Sequence, residues 1–304
     1  MTNKQTILIA GATGSIGGGA AVALAKRGAS VVLLGRKLER LEARADSIRV
    51  ALSEAQIDYQ NTDIATLVID FSDMESVRLA ASEALNRFPM IHGLVLSAVA
   101  LIPKNGPNIL PSGHELMFAT NVMGPFLFTQ LLLERMEQSD GLILHVINMS
   151  NKEIDWDDLE SIRNHKIGTA YERTKTMHRV IAGELARRYA GKISSVAFNP
   201  TFIFDKSDPE LTKRWLSVGL TGYFYRMIAV FFAKPPTVAG EPIADLMLSY
   251  PDRRAINGAL FKLDKRVEKP DRAMNDEVFG KGLWDELVRL TGLTPEIGDS
   301  LLRS

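Results

Sequence analysis

Short apolar runs alternate with amphipathic segments over the first hundred residues, and that rhythm restricts the chain more than any other feature. Thr6-Ile-Leu-Ile-Ala10 leads through a glycine-rich turn into a helix over Ala20, Val22, Leu24 and Lys26 that closes at Gly28. Ser30 to Leu34, Thr66 to Ile69 and His92 to Ser97 read as further buried strands. Lys37 to Leu52 and Asp73 to Phe88 read as helices, the second capped by Ser72 or Asp73. Strands that are apolar along their whole length must be covered on both faces, and strands separated by helices run parallel. The expected fold class is therefore α/β, a doubly wound parallel sheet of about seven strands with helices on both faces.

The turn after the first strand is Gly11-Ala-Thr13-Gly14-Ser15-Ile16-Gly17-Gly-Gly19. Glycines at such a place permit a tight turn, let backbone approach a pyrophosphate, and bring the helix N-terminus up to the phosphate. A ligand-free glycine turn is the plainer alternative, but its position between the first strand and first helix favours a dinucleotide. The second strand ends in Gly35-Arg36-Lys37 instead of the acidic residue that would take a ribose 2′-hydroxyl. Arg36 offers a planar fork for a 2′-phosphate, with Lys37 and Arg40 adding charge, so the expected cofactor is NADP(H).

Farther on, Gly168 to Ala190 reads as a helix, with Tyr171 and Lys175 one turn apart on the same face. Met177, Ile181, Leu185 and Tyr189 form its apolar stripe. A neighbouring ammonium favours phenolate, so the expectation is a tyrosine pKa below its usual 10 and a usable general acid or base.

Composition excludes several other functions. Lys plus Arg and Asp plus Glu are balanced at 36 each, which gives no footprint for nucleic acid or an anionic membrane. No cysteine is present, so disulfides and thiolate chemistry are out. The five histidines, His92, His114, His145, His165 and His178, have no metal-ligand spacing; His114 reads as a surface or capping residue, and His165 lies in a loop ahead of Tyr171. The N-terminus shows no signal peptide, and the most apolar window, Tyr223 to Ala233, contains Arg226 and is too short to span a bilayer. A cytoplasmic protein with no membrane span is expected.

In order along the chain, these motifs resemble the short-chain dehydrogenase/reductase family from about residue 5 to the C-terminus. After the glycine turn come Ile69-Asp70-Phe71-Ser72, where the family places an aspartate near the adenine, and Leu94-Val-Leu-Ser97-Ala98 at the end of the fourth strand. Met117-Phe-Ala-Thr-Asn121-Val-Met-Gly-Pro-Phe126 matches the helix that carries the family's asparagine. The fifth strand, Ile143 to Met149, ends in Ser150-Asn151, and the sixth, Ile193 to Phe198, leads to Asn199-Pro200-Thr201. Asp155-Trp-Asp-Asp-Leu159, Glu184-Leu-Ala-Arg-Arg188 and Leu283-Trp-Asp-Glu-Leu-Val are similar to retinol dehydrogenase-like reductases.

The resemblance implies one Rossmann-type NAD(P)-binding domain over residues 1–304 and a catalytic set of Tyr171, Lys175, Asn121 and Ser150. Tyr171 would exchange a proton with the substrate oxygen, Lys175 would bind the nicotinamide ribose and lower the tyrosine's pKa, and Asn121 would hold a water linking Lys175 to solvent. Ser150 would position the carbonyl, although direct alignment puts Asn151 there and a one-residue slip separates the two. The implied cofactor contacts are Gly11, Thr13, Gly14, Ser15, Ile16, Gly17, Arg36, Asp70, Phe71, Ser97, Ala98, Tyr171, Lys175, Pro200 and Thr201. The chain departs from the family at Ser15, at Leu96-Ser-Ala-Val99, at Asn151, and at Thr201, where the family has glycine.

Asp208 to Ala233, within about 205–235, would be an apolar substrate lid or a packing surface. Thr237 to Tyr250 should be a helix, Gly258 to Leu263 the last strand, and Asn275 to Thr291 the closing helix. The function implied is interconversion of a carbonyl and an alcohol on a hydrophobic small molecule, in a homodimer or homotetramer whose subunit number stays open. Two alternatives remain at this point: an NADP(H)-binding sensor or scaffold without turnover, and an extended-type enzyme acting on a nucleotide-linked sugar.

Overall fold

The computed structural model describes residues 4–57, 62–100, 106–201, 203, 234–250, 252–267, 269 and 271–293. The strands are β1 (Thr6–Ala10), β2 (Ser30–Gly35), β3 (Ile64–Val68), β4 (Gly93–Leu96), β5 (Leu142–Val146), β6 (Ser194–Asn199), β7 (Leu260–Lys262) and β8 (Lys265–Arg266). The helices are α1 (Ser15–Lys26), α2 (Leu38–Glu54), α3 (Met74–Arg87), α4 (Leu116–Glu137), α5 (Ile167–Arg188), α6 (Thr237–Ala244) and α7 (Glu277–Thr291).

The sheet order is β3-β2-β1-β4-β5-β6-β7-β8, parallel up to β7. This is the doubly wound parallel arrangement expected from the alternation of elements. The strand order reverses between β1 and β4, and crevices for ligands open beyond the carboxyl ends of strands at such a point. The sheet has eight described strands against about seven expected, because Phe261 and Lys262 pair antiparallel with Arg266 and Lys265. Those two basic, exposed residues have no apolar alternation by which a strand could be read.

Covering both faces explains the apolar strands. On β1, Leu8 and Ala10 enter one core with α3, α4, α5 and α7, while Ile7 and Ile9 enter the other with α1, α2 and α6. Asp73 caps α3 by accepting from the Glu75 amide. On α5 the stripe of Met177, Ile181, Leu185 and Tyr189 is buried as the spacing required. The helix α4 contains one widened turn over Ala119–Met123. It is the one described helix long and apolar enough to cross a membrane, and 89% of its apolar window is buried inside the structure. The lid expected over Asp208 to Ala233 lies outside the described residues.

β5 ends at Val146 rather than Met149. Ile147 still donates to the Phe198 carbonyl, but beyond it the chain leaves the sheet and passes over α5. Pro235 and Pro236 precede α6, whose last turns widen over Asp245–Ser249 before Tyr250.

Candidate active site

The glycine turn is fixed by close approach. Gly11 has φ +77°, and a Cβ there would sit 2.7 Å from the Ala98 Cα. A Cβ on Gly17 would lie 2.5 Å from the Gly11 carbonyl oxygen and 2.6 Å from the Ser97 Oγ. Backbone and helix are therefore in contact, as a phosphate-binding turn requires. The Ser97 hydroxyl donates to the Ala10 carbonyl at 2.5 Å, tying the end of β4 to the end of β1. Gly14 caps α1 without a side-chain hydrogen bond, and no acidic residue lies in the first turn, which begins Ser15-Ile16. A helix start of that kind suits an anion.

Arg36 is exposed beside the carboxyl end of β2, next to the exposed Lys37 and Arg40. From α2, Arg44 reaches over the turn and donates to the Thr13 carbonyl at 3.4 Å. The sequence reading did not single out Arg44; its place two turns into α2 on the same side as Arg36 and Arg40 was the available signal. Asp70 follows β3 and is locked by Ser72, whose amide and hydroxyl both donate to its Oδ1, at 2.9 and 2.7 Å. The Phe71 ring is turned into the core, edge-on to Phe128 at 5.9 Å, which leaves its backbone rather than its ring to the crevice.

Tyr171 and Lys175 occupy one face of α5. The Lys175 amine is 5.9 Å from the centre of the tyrosine ring and donates to the Val146 carbonyl at 3.0 Å, at the end of β5. Burial lowers the amine's pKa to about 8. The expectation of a tyrosine below 10 is not met: burial, helped by the Glu172 carboxylate, pushes the phenol up to about 12. Loss of hydration outweighs a cation nearly 6 Å from the ring centre.

Asn121 sits in the widened turn of α4 and is fully buried. Its Oδ1 accepts from the Ala100 amide at 2.6 Å, and its Nδ2 donates to the Ala100 carbonyl at 3.0 Å and the Thr174 Oγ1 at 3.3 Å. Its own carbonyl accepts from the His178 Nε2. Asn121 is thus tied to both the β4 exit and the helix of Tyr171. Behind them lie the buried rings of His145 and His178, 5.8 Å apart, their pKa values depressed by burial and by Lys175. His114 pairs with Glu160 at 2.9 Å, and His165 meets the Ser161 carbonyl at 3.1 Å. Among the described residues no cluster could hold a metal ion.

Ser150 is partly exposed, and its hydroxyl accepts weakly from the Lys152 amide at 3.3 Å. The Asn151 Oδ1 instead accepts from Arg179 at 3.2 Å, so that amide oxygen is engaged. Pro200 is buried, and Thr201 holds φ +63° with its amide on the Asn199 Oδ1 at 2.9 Å. A β-branched residue is rare in that conformation and glycine takes it without strain. Thr174, Arg179 and the packing of His145 against His178 were missed because polar side chains off the apolar stripe read as solvent-facing until the surrounding elements bury them.

Comparisons with known proteins give the family. A family model described as short chain dehydrogenase matches residues 5–155. Retinol dehydrogenase 12 of Mus musculus is 27% identical over 95% of this chain and 87% of its own length. Retinol dehydrogenase 14 of the same organism is 28% identical over 96% and 87%. Among solved structures, L-sorbose reductase from Gluconobacter frateurii, complexed with NADPH and L-sorbose, has a TM-score of 0.64 at 19% identity, covering 86% of this chain and 95% of that one. An acyl-carrier-protein-dependent oxoacyl reductase from Agrobacterium tumefaciens with NADP bound gives 0.64 at 19%, over 85% and 92%; at such identity both speak to the fold alone. With the glycine turn, the buried asparagine and the tyrosine-lysine helix assembled at the switch point of the sheet, the chain belongs to the short-chain dehydrogenase/reductase family of nicotinamide-dependent oxidoreductases, and within it is similar to the retinol dehydrogenases.

Proposed function

We propose that this protein is an NADP(H)-dependent reductase of a hydrophobic carbonyl compound, running equally as an alcohol dehydrogenase when the substrates are reversed. The observation that carries the reading is the pairing of a phenol kept protonated at neutral pH with a buried amine on the same helical face. Gly11, Gly14, Gly17 and the start of α1 suit a pyrophosphate: a Cβ on Gly11 or Gly17 would strike Ala98, Ser97 or the turn's own backbone, so glycine lets α1 start close against β1 and β4, and that start carries no acidic residue in its first turn. Thr13, Ser15, Ile16, Asp70, Ser97, Ala98, Pro200 and Thr201 complete that crevice, and Arg36 would take a 2′-phosphate. When bound, the cofactor supplies the hydride.

The chain's own residues do the rest. Tyr171 gives its proton to the carbonyl oxygen of the substrate. Lys175, still largely an ammonium at neutral pH, stabilises the phenolate that forms. A stabiliser near the developing charge lowers the barrier even where the resting phenol titrates high. Ser150 offers the hydroxyl that orients the carbonyl, and Asn121 fixes α4 against Thr174 on α5. The names of the relatives support a hydrophobic alcohol or aldehyde as substrate. A cytoplasmic setting belongs to the same proposal, supported by the use of the long apolar helix as core.

The test compares NADPH with NADH by fluorescence titration and then follows NADPH oxidation with cinnamaldehyde, acetophenone and retinal. NADPH should bind more tightly, and Arg36→Ala should erase most of that preference. Tyr171→Phe should lower turnover by about 10²- to 10⁴-fold with NADPH affinity unchanged. Full activity in the phenylalanine variant would exclude the tyrosine mechanism, and binding without turnover in the wild type would favour a sensor.

A further inference from the structure

On α5, Arg179, Gly183 and Arg187 follow Lys175 at intervals of four and so form a second stripe beside the apolar one. This stripe receives the segment ahead of α7. Arg179, 1% exposed, pairs with Asp271, 7% exposed, at 2.7 Å. A Cβ on Gly183 would strike the Met274 carbonyl, and Arg187 donates to that same carbonyl at 2.7 Å. The Asp271 Oδ1 accepts from the Met274 amide at 3.0 Å, so one carboxylate both shapes the segment and docks it.

Arg179 has a second set of partners. Its Nη2 donates to the Ser150 carbonyl and to the Asn151 Oδ1, the latter at 3.2 Å. Thr176 also meets the Ser150 carbonyl, at 3.4 Å. The residues at stake lie just past the end of β5, where no ladder hydrogen bond holds the chain. A planar guanidinium has donors enough to serve a carboxylate on one edge and two oxygens on the other, which an ammonium cannot do with fixed geometry. Apart from the weak Thr176 contact and bonds within the loop itself, such as the Ser150 amide to the Asn148 Oδ1 at 3.0 Å, the buried Arg179 cation is what ties Ser150 and Asn151 to α5, so it does more than fill core.

We propose that Arg179 is a positioning residue for the reaction: it holds Ser150 and Asn151 against the helix bearing Tyr171 and Lys175, and it couples that placement to the docking of residues 271–276. The proposal rests on the reductase reading for its kinetic consequence, though not for its structural one. Reacting groups displaced by about an ångström lose on the order of 10²-fold in rate.

The decisive variant is Arg179→Met with Asp271→Leu, which removes both charges together and so leaves no unpaired ion in the core. Four measurements are made on the full chain: melting temperature, NADPH affinity by fluorescence titration, turnover of cinnamaldehyde with NADPH, and amide hydrogen exchange of the peptide over residues 147–153. The melting temperature and NADPH affinity should change little, kcat should fall about 10- to 100-fold, and the 147–153 amides should exchange faster while β5 and β6 stay protected. Arg179→Lys, which keeps the cation and so the pair with Asp271, should recover part of kcat. It also supplies the exchange measurement if the paired variant fails to fold. Wild-type kcat and wild-type exchange in either folded variant would overturn the proposal. If the wild type itself turns over none of the carbonyls, the reductase reading fails, and the exchange of 147–153 still decides whether Arg179 positions the loop.

Discussion

Lys175 is the residue at which burial and charge are most opposed. The residue is 4% exposed, and its pKa is pulled from 10.5 to about 8 by loss of hydration. Between those two values the unfolded chain binds a proton that the folded chain has released, so stability rises with pH across that window. Below it both states are protonated, and the folded state carries the whole cost of a buried ammonium, about 3 kcal/mol. Lys175→Met removes the titration. Urea unfolding of wild type and variant should therefore show the wild type gaining about 2 kcal/mol relative to the variant between about pH 8 and 9.5. A constant difference across that range would mean that the amine is not desolvated. The opposite sign applies to Tyr171 above pH 10, where its raised pKa makes the folded chain the better proton binder.

At the scale of elements, the widened turn of α4 is where a residue and a helix depend on each other. The Asn121 side chain supplies the partners of the Ala100 amide and carbonyl, and its backbone is held by His178. Asn121→Ala leaves two main-chain groups without partners in a buried site, at about 1–3 kcal/mol for each polar group stranded. Thermal unfolding should fall by several degrees. The effect on turnover should exceed the effect on NADPH binding, because the glycine turn packs on Ser97 and Ala98 whereas Asn121 bonds Ala100 and Thr174, on the helix of Tyr171. Equal melting temperatures would show that the Ala100 groups find other partners. The matching asparagine motif made this residue readable from sequence, as did the Tyr171–Lys175 spacing and the glycine turn, since each needs particular residue types at fixed intervals. What could not be read was where burial would place charge. Arg179 and His178 look like ordinary helix-surface residues until β5 and the 271–276 segment close over them. The direction of the Tyr171 shift was misjudged for the same reason, because spacing reports the neighbouring cation and says nothing of the missing water. Likewise β8, two exposed basic residues, has no hydrophobic period to reveal it.

For the molecule as a whole, α7 is the brace that joins the two helices of the site from behind. Trp284 is 3% exposed and lies edge-on to Phe126 of α4 at 5.0 Å. It also lies 6.4 Å from the Tyr189 ring at the end of α5, with the Arg188 guanidinium 4.7 Å over its face. One ring at the back of the sheet therefore contacts the element that carries Asn121 and the element that carries Tyr171. Trp284→Ala removes that contact from both at once and should cost about 3–5 kcal/mol, with a drop in melting temperature of about 5–15 °C. Because α1, α2 and the glycine turn belong to the other core, NADPH affinity in the folded variant should hold within about twofold while kcat falls. Calorimetry with a cofactor titration on the same sample separates the two effects. Parallel losses of affinity and turnover would mean that the two faces of the sheet respond as one body, and that the site has no brace of its own.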